Sequence, residues 1–326
     1  MKDYSLTQVE CEWTQQLNRW VETFRPYSTE GKCATYIPAL AEANPEHLGI
    51  CVASEGGQAL KAGEWNVPFT MQSISKAISF MAACSIHGIE QVMERVDVEP
   101  TGDAFNSIVR LEAHKPGKPF NPMINAGAIT VTSLLPGKNA IEKLEPVIDL
   151  LEDILDYRPP LNESVFKSEW ETAYLNRSLA YYLKQNGVLA SPVEEALEAY
   201  SRQCSIQITA EDLAKIGLVL ANDGLHPYKG TQVVPRKITK ITKALMLTCG
   251  TYNASGRLAA FVGVPTKSGV AGGILSAIPP RGRNNGPFSH GCGIGIYGPA
   301  IDEVGNSVSG ILLLKEMVEQ WDLNIF

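Results

Sequence analysis

Paired cysteines, clustered histidines, long apolar runs and an excess of positive charge are all missing from this 326-residue chain. The seven cysteines (Cys11, Cys33, Cys51, Cys84, Cys204, Cys249, Cys292) are odd in number, and none forms a C-x-x-C pair. Disulfide frameworks and zinc sites both need regular paired spacing, so reduced, buried thiols are expected. The five histidines (His47, His87, His114, His226, His290) are scattered and H-E-x-x-H is absent, so no metal is expected. No apolar run reaches the roughly 18 residues of a membrane span. The first residues, Met1-Lys-Asp-Tyr-Ser-Leu-Thr-Gln, carry no hydrophobic signal region, and the expectation is a soluble, cytoplasmic protein. With 28 Lys and Arg against 35 Asp and Glu, the net charge is −7. That balance argues against nucleic acid and against an anionic membrane surface as partners.

What is present suits a globular protein: 44% hydrophobic and 19% charged residues, on a chain long enough to bury a sizeable core. Ser5 with Gln8 has the form of a capping box. Leu6, Val9, Trp13, Leu17, Trp20, Val21 and Phe24 then recur at helical spacing up to Arg25-Pro26. Residues 48–54 read as a strand that turns at Gly56-Gly57 into a second at 58–62. From about residue 100 to 255 the pattern is helical. Segments at 125–135, 141–157, 168–186, 192–200 and 235–248 are joined by a helix that Thr209 caps, with Glu211 and Asp212 beside its positive end. Pro146 is expected in a first turn or at a break. Strand character returns at 258–263, 268–277 and 292–298. The last two are rich in glycine, which implies close backbone approach. A final helix covers about 307–321. The fold class is therefore α+β within a single domain over residues 1–326. A sheet-bearing lobe (about 1–98 and 256–326) closes around a mostly helical lobe (about 99–255), with a ligand site between them.

One stretch bears on chemistry. In Gln72-Ser73-Ile74-Ser75-Lys76 a hydroxyl and an amine stand three residues apart at the start of an apolar helical segment. Positions i and i+3 share a helix face, so a neutral Lys76 amine could take the Ser73 proton and make a nucleophile of it. Serine is also a favoured helix cap, and S-x-x-K alone does not separate the two readings.

Seven blocks in order decide between them. These are Gly31-Lys-Cys-Ala-Thr-Tyr-Ile-Pro-Ala-Leu40, the Gln72–Lys76 stretch, Glu99-Pro-Thr-Gly-Asp-Ala-Phe-Asn-Ser107, Asn121-Pro-Met-Ile-Asn-Ala-Gly-Ala128, Tyr200-Ser-Arg-Gln-Cys-Ser205, Lys267-Ser-Gly-Val-Ala-Gly-Gly273 and Gly298-Pro-Ala-Ile-Asp302. Together they resemble the serine-dependent, β-lactamase-like glutaminases across nearly the whole chain. The resemblance implies an antiparallel sheet flanked by helices with an inserted helical lobe. It also implies hydrolysis of L-glutamine to L-glutamate and ammonia through a seryl acyl-enzyme, without metal or organic cofactor, in a homo-oligomer.

By the same resemblance Ser73 is the nucleophile, Lys76 its base, and Tyr252 the proton relay to the leaving amine. The backbone N–H of Val270, in a Lys-Ser-Gly-Val version of the Lys-Thr-Gly strand, joins that of Ser73 as an oxyanion hole. Glu169, Asn176, Asn125, Tyr200, Tyr36 and Gln72 are implied as substrate ligands. Asn253 stands where the family often has Asp. On spacing alone Glu169 and Asn176, seven apart, share one helix face, and Glu171 is an equal candidate. The rival readings make Asn125 a helix cap, Tyr252 a core tyrosine and Tyr36 ordinary packing. Two other functions fit the same residues: a β-lactamase or acyl-D-amino-acid peptidase, and a non-catalytic amino-acid sensor.

Overall fold

A computed structural model of the chain describes residues 6–55, 59–113, 117–280 and 288–326. Helix α1 (Leu6–Phe24) leads through short 3-10 turns to strands β1 (Gly49–Ala53) and β2 (Ala59–Gly63). These two pair antiparallel as expected, while their Gly56-Gly57 turn, like the Ser5 cap, lies outside the described residues. The short strand β3 (Phe69–Thr70) precedes α2 (Ser75–His87), α3 (Ile89–Arg95), α4 (Val109–Ala113), α5 (Asn125–Leu134), α6 (Ala140–Leu155), α7 (Glu163–Thr172), α8 (Tyr174–Gln185) and α9 (Val193–Cys204). Strand β4 (Gln207–Ile208) returns to pair with β3 and feeds α10 (Ala210–Ala221). A small hairpin, β5 (Leu225–His226) with β6 (Thr231–Gln232), leads to α11 (Arg236–Cys249) and α12 (Ser255–Phe261). Strands β7 (Thr266–Ser268), β8 (Gly273–Ile278) and β9 (Cys292–Tyr297) and helix α13 (Val308–Gln320) complete the fold.

The main sheet runs β2-β1-β9-β8-β7, every neighbour antiparallel. Its strands alternate as a two-residue period requires. Ile50, Val52, Ile274, Ile294 and Ile296 face one way, onto α1 and α13 through Leu17, Trp20, Val21, Leu313, Leu314 and Trp321. Cys51, Ala53, Leu275 and Ala277 face α10 and the helical lobe. Helix α10 lies so close to β9 that a Cβ on Gly293 would stand 2.0 Å from the Ala214 carbonyl oxygen. On Gly295 it would stand 1.9 Å from that of Ala210. The glycines of that strand are thus the imprint of a helix on a sheet. Gly295→Ala is expected to destabilise the fold by about 3 kcal/mol through overpacking, read as a lower urea midpoint with an unchanged slope.

Helix α2 is buried on all sides from Ser75 to Cys84, as suits a helix at the centre of a lobe. The Thr209–Asp212 capping box is present, and α10 closes at Asn222 as the sequence reads. Six cysteines (Cys33, Cys51, Cys84, Cys204, Cys249, Cys292) are free and buried, while the Cys11 side chain lies outside the described residues. Among the described residues no helix is long and apolar enough to cross a membrane.

Four expectations need correction. Residues 255–261 form helix α12, not a strand: the run Leu258-Ala-Ala-Phe-Val is too short for periodicity to separate the two. Pro146 neither opens nor breaks α6, which runs on through it. The buried stripe of Leu144, Val147, Ile148, Leu151 and Ile154 outweighs the lost hydrogen bond. The 268–277 stretch is a hairpin, β7 and β8 joined by a turn in which Gly272 N–H donates to the Gly269 carbonyl at 2.9 Å. Finally, 168–186 is two helices, interrupted at Ala173. Just before the break the Thr172 hydroxyl donates to the carbonyls of Ser168 (3.0 Å) and Glu169 (3.3 Å), a back-bonding that bends helices. Glu169 and Asn176 therefore do not share a helix face.

Candidate active site

Ser73 sits in a 3-10 turn, Gln72–Ile74, that runs directly into α2. The cap position of α2 is Ile74, without a side-chain bond, so Ser73 does not serve as a cap. Its neighbour Gln72 is held at φ 46, a left-handed conformation that a residue with a side chain rarely adopts. Ser73 is 6% exposed and opens onto a cavity of about 150 Å³. Eight of the ten residues singled out from the sequence line it: Tyr36, Gln72, Ser73, Asn125, Glu169, Asn176, Tyr200 and Val270. They come from seven places in the chain, and the Ala173 break lets Glu169 and Asn176 both reach the cavity from different helices. Tyr36 is half exposed at the rim. Glu171, the rival to Glu169, is exposed and does not line it.

The other two stand behind the lining. Lys76 is fully buried, and its Nζ donates to Asn125 Oδ1 at 2.6 Å. Asn125 spends its side chain inside the cluster rather than on a cap: Oδ1 also accepts from the Tyr200 hydroxyl at 3.2 Å, and Nδ2 donates to Asn176 Oδ1 at 2.9 Å. Tyr252 is buried, hydrogen-bonded to Ser73, and its hydroxyl donates to the Ser268 carbonyl at 3.2 Å. Like Gln72 it is left-handed, at φ 59. Strain of this kind persists where the surroundings over-determine it, and two of the five left-handed non-glycine residues among those described, Gln72 and Tyr252, stand beside the serine.

Burial sets the electrostatics. Loss of solvent pushes the Lys76 amine down to about 8, against the opposing pull of Cys204 and Glu169. The same loss pushes Glu169 up to about 7, opposed by a hydrogen bond to Gln72, the Lys76 charge and the Cys204 thiol. Glu169 Oε2 is buried and has no hydrogen-bond partner among the described residues. Burial also raises the Tyr252 hydroxyl, although its bonds to Ser73 and Ser268 pull the other way, so the phenol stays protonated near neutrality.

Three residues of the site lie inside the motif blocks, yet no sequence signal assigned them a place. Phe105 lines the cavity and packs against Tyr252 with ring centroids 4.8 Å apart and the rings tilted by 43°. Cys204 lines it beside Glu169 and Tyr200. Lys267 is fully buried, its Nζ 2.6 Å from the Ser268 carbonyl, 2.9 Å from that of Gly250 and 4.7 Å above the Tyr252 ring. Burial, with Lys76 adding to it, drives the Lys267 amine well below the usual lysine range. A hydroxyl and a lone carboxylate oxygen thus line one small cavity, with two buried amines of lowered basicity and a protonated phenol behind the wall. That set suits acyl transfer to a serine.

Comparison with known proteins gives the same direction. The sequence model of the glutaminase family matches residues 31–326. Glutaminase 2 of Bacillus anthracis is 60% identical over 326 residues, covering 100% of both chains. A crystal structure of a probable glutaminase of Bacillus subtilis superposes with TM-score 0.92 at 58% identity, over 97% of this chain and 98% of that one. A covalent complex of a Bacillus subtilis glutaminase with 5-oxo-L-norleucine, formed by reaction with 6-diazo-5-oxo-L-norleucine, matches with TM-score 0.86 at 53% identity, over 96% and 99%. The fold is of the β-lactamase-like class. With sequence, fold and cavity in agreement from end to end, the chain belongs to the glutaminase family.

Proposed function

We propose that this protein hydrolyses L-glutamine to L-glutamate and ammonia through an acyl-enzyme on Ser73. The observation that carries the reading is the unpartnered Glu169 Oε2, buried in the same small cavity as Ser73. A buried carboxylate oxygen without a partner is costly unless a ligand supplies one, and the α-ammonium of a free amino acid does so. Asn125, Asn176, Tyr200 and Gln72 offer donors for the α-carboxylate and the amide, and Tyr36 covers the rim. Lys76, neutral for part of the population near pH 8, takes the Ser73 proton as Oγ attacks the side-chain amide carbon. The backbone N–H groups of Ser73 and Val270 receive the oxyanion. Tyr252 delivers a proton to the nitrogen as the C–N bond breaks. Water then gives a proton to the Tyr252 phenolate as it attacks the ester carbon, and the Lys76 ammonium returns its proton to Ser73 Oγ as the C–O bond breaks and glutamate leaves.

The site lies where the sheet-bearing and helical lobes of one domain meet. The acidic composition and the buried free thiols support a cytoplasmic location. Ammonia release from L-glutamine, L-asparagine and D-glutamine, measured side by side on the purified protein, tests the reading. Release from none of them would overturn it.

A pH profile follows from Glu169 and Lys76. The substrate ammonium needs an ionised Glu169, and attack needs a neutral Lys76. Raising the pH through about 7 and then about 8 therefore raises kcat/KM on both counts. Glu169→Gln is expected to raise KM by about 10–100-fold, the worth of one charged hydrogen bond, with a smaller change in kcat. It should also erase the step near pH 7. Initial-rate profiles of wild type and variant check both, and an unchanged KM removes Glu169 from the ammonium site.

A further inference from the structure

The loop between β9 and α13 contributes nothing to the cavity lining, yet it grips the residues behind it. Asn306 is 2% exposed and spends both ends of its side-chain amide. Oδ1 accepts from the Ser268 hydroxyl at 2.6 Å, and Nδ2 donates to the Thr251 carbonyl at 3.4 Å. Thr251 is the residue before Tyr252, and Ser268 ends β7 two residues before Val270. Asn306 is thus the clasp between the turn that presents the phenol and the strand end that presents the oxyanion donor.

The loop itself is stiff. Asp302 Oδ1 accepts from the N–H groups of Val304 (2.9 Å), Gly305 (2.8 Å) and Asn306 (2.9 Å), and Asp302 N–H donates to the Asn306 carbonyl at 2.8 Å. Gly305, at φ 106, brings its backbone against both side chains: a Cβ there would stand 3.2 Å from Tyr252 Cε2 and 3.3 Å from Val270 Cγ1. From the other side, Ser255 Oγ accepts from Thr251 N–H at 3.0 Å and donates to the Tyr252 carbonyl at 2.7 Å. The left-handed Tyr252 is held in place between Ser255 and Asn306.

We propose that Asn306 is a positioning residue for the chemical step, setting Tyr252 and Val270 against Ser73 through Thr251 and Ser268. This rests on the reading of Tyr252 and Val270 given above. The side chains proposed to bind the substrate's amino-acid end, Asn125, Glu169, Asn176 and Tyr200, lie on α5, α7, α8 and α9, and neither bond of the Asn306 side chain reaches them. Loss of the clasp should therefore slow turnover without loosening binding.

The test compares kcat, KM for L-glutamine and Kd for L-glutamate in Asn306→Leu, Ser268→Ala, the double variant and Tyr252→Phe. Asn306→Leu keeps the volume and removes both bonds. Its kcat is expected to fall about 100-fold, with KM and Kd within about threefold of wild type. Ser268→Ala should lower kcat about tenfold, and the double variant should be no slower than Asn306→Leu alone, because the hydroxyl acts through the amide. A cooperative melt certifies each variant. If Asn306→Leu does not fold, the kcat-only loss in Ser268→Ala decides in its place. A folded Asn306→Leu with kcat within threefold of wild type, or with KM rising as kcat falls, overturns the proposal. Near-normal kcat in Tyr252→Phe instead removes the reading of Tyr252 and this inference with it. A crippled Tyr252→Phe beside an active Asn306→Leu sinks the inference alone.

Discussion

Ser73→Ala is expected to abolish ammonia release from L-glutamine, lowering kcat by roughly 10⁴–10⁶-fold, while L-glutamate still binds. The size follows from what the hydroxyl would do. Without Oγ no acyl-enzyme forms, and the oxyanion donors and ligand contacts retain only the residual acceleration of a positioned water. The fold should be indifferent, because Ser73 caps no helix and its loss removes one hydroxyl from the wall of an open cavity. Incubation with 6-diazo-5-oxo-L-norleucine separates the nucleophile from mere binding. Intact-mass spectrometry should show an adduct on wild type and none on Ser73→Ala. Substantial residual turnover, or an adduct on the variant, rules out the covalent route through Ser73.

Lys76→Met should lower kcat by roughly 1,000-fold and leave the protein as stable as wild type or more so. Activity and stability part company here because the amine is fully buried. Its value in the folded chain, about 8, lies below the ordinary 10.5. The stability that goes with a neutral amine is complete above 10.5 and is lost as pH falls through about 8. At pH 7 wild type therefore carries a charge that opposes folding, and methionine relieves it. The gain is of order 1–3 kcal/mol near neutrality and fades towards pH 10.5. Denaturant titrations at pH 7 and pH 10 measure it. A variant less stable than wild type at pH 7 would show that the Asn125 bond outweighs the buried charge.

Much of this site could be read before any coordinate, because its residues travel in short blocks whose neighbours do local work. Ser73 and Lys76 stand three residues apart across a 3-10 to α junction, the serine on the cavity wall and the buried amine behind it on Asn125. The Thr209–Asp212 box and the glycines of β9 announce a cap and a close helix because both signals are local. The Ala173 break was not legible. It carries no proline or glycine, and what marks it is a threonine hydroxyl shared between two carbonyls, a contact that periodicity does not see. Helix α12 misread as a strand has the same origin, since Ser255 is committed to the Thr251–Tyr252 turn by contacts that no apolar pattern encodes. Lys267 and Cys204 stayed silent because their burial is a property of the folded lobe and not of their neighbours in sequence.

The strand order has a consequence for how this protein is made. Strand β1 pairs on one side with β2, its neighbour along the chain, but its other partner is β9, roughly 240 residues later. At ribosomal rates of about 5–20 residues per second, that edge of β1 waits on the order of 10–50 s for its partner. Throughout that interval the nascent chain exposes an unpaired strand edge, the feature that templates aggregation. Synthesis of this enzyme should therefore depend on chaperone supply and on temperature more steeply than its finished stability would suggest.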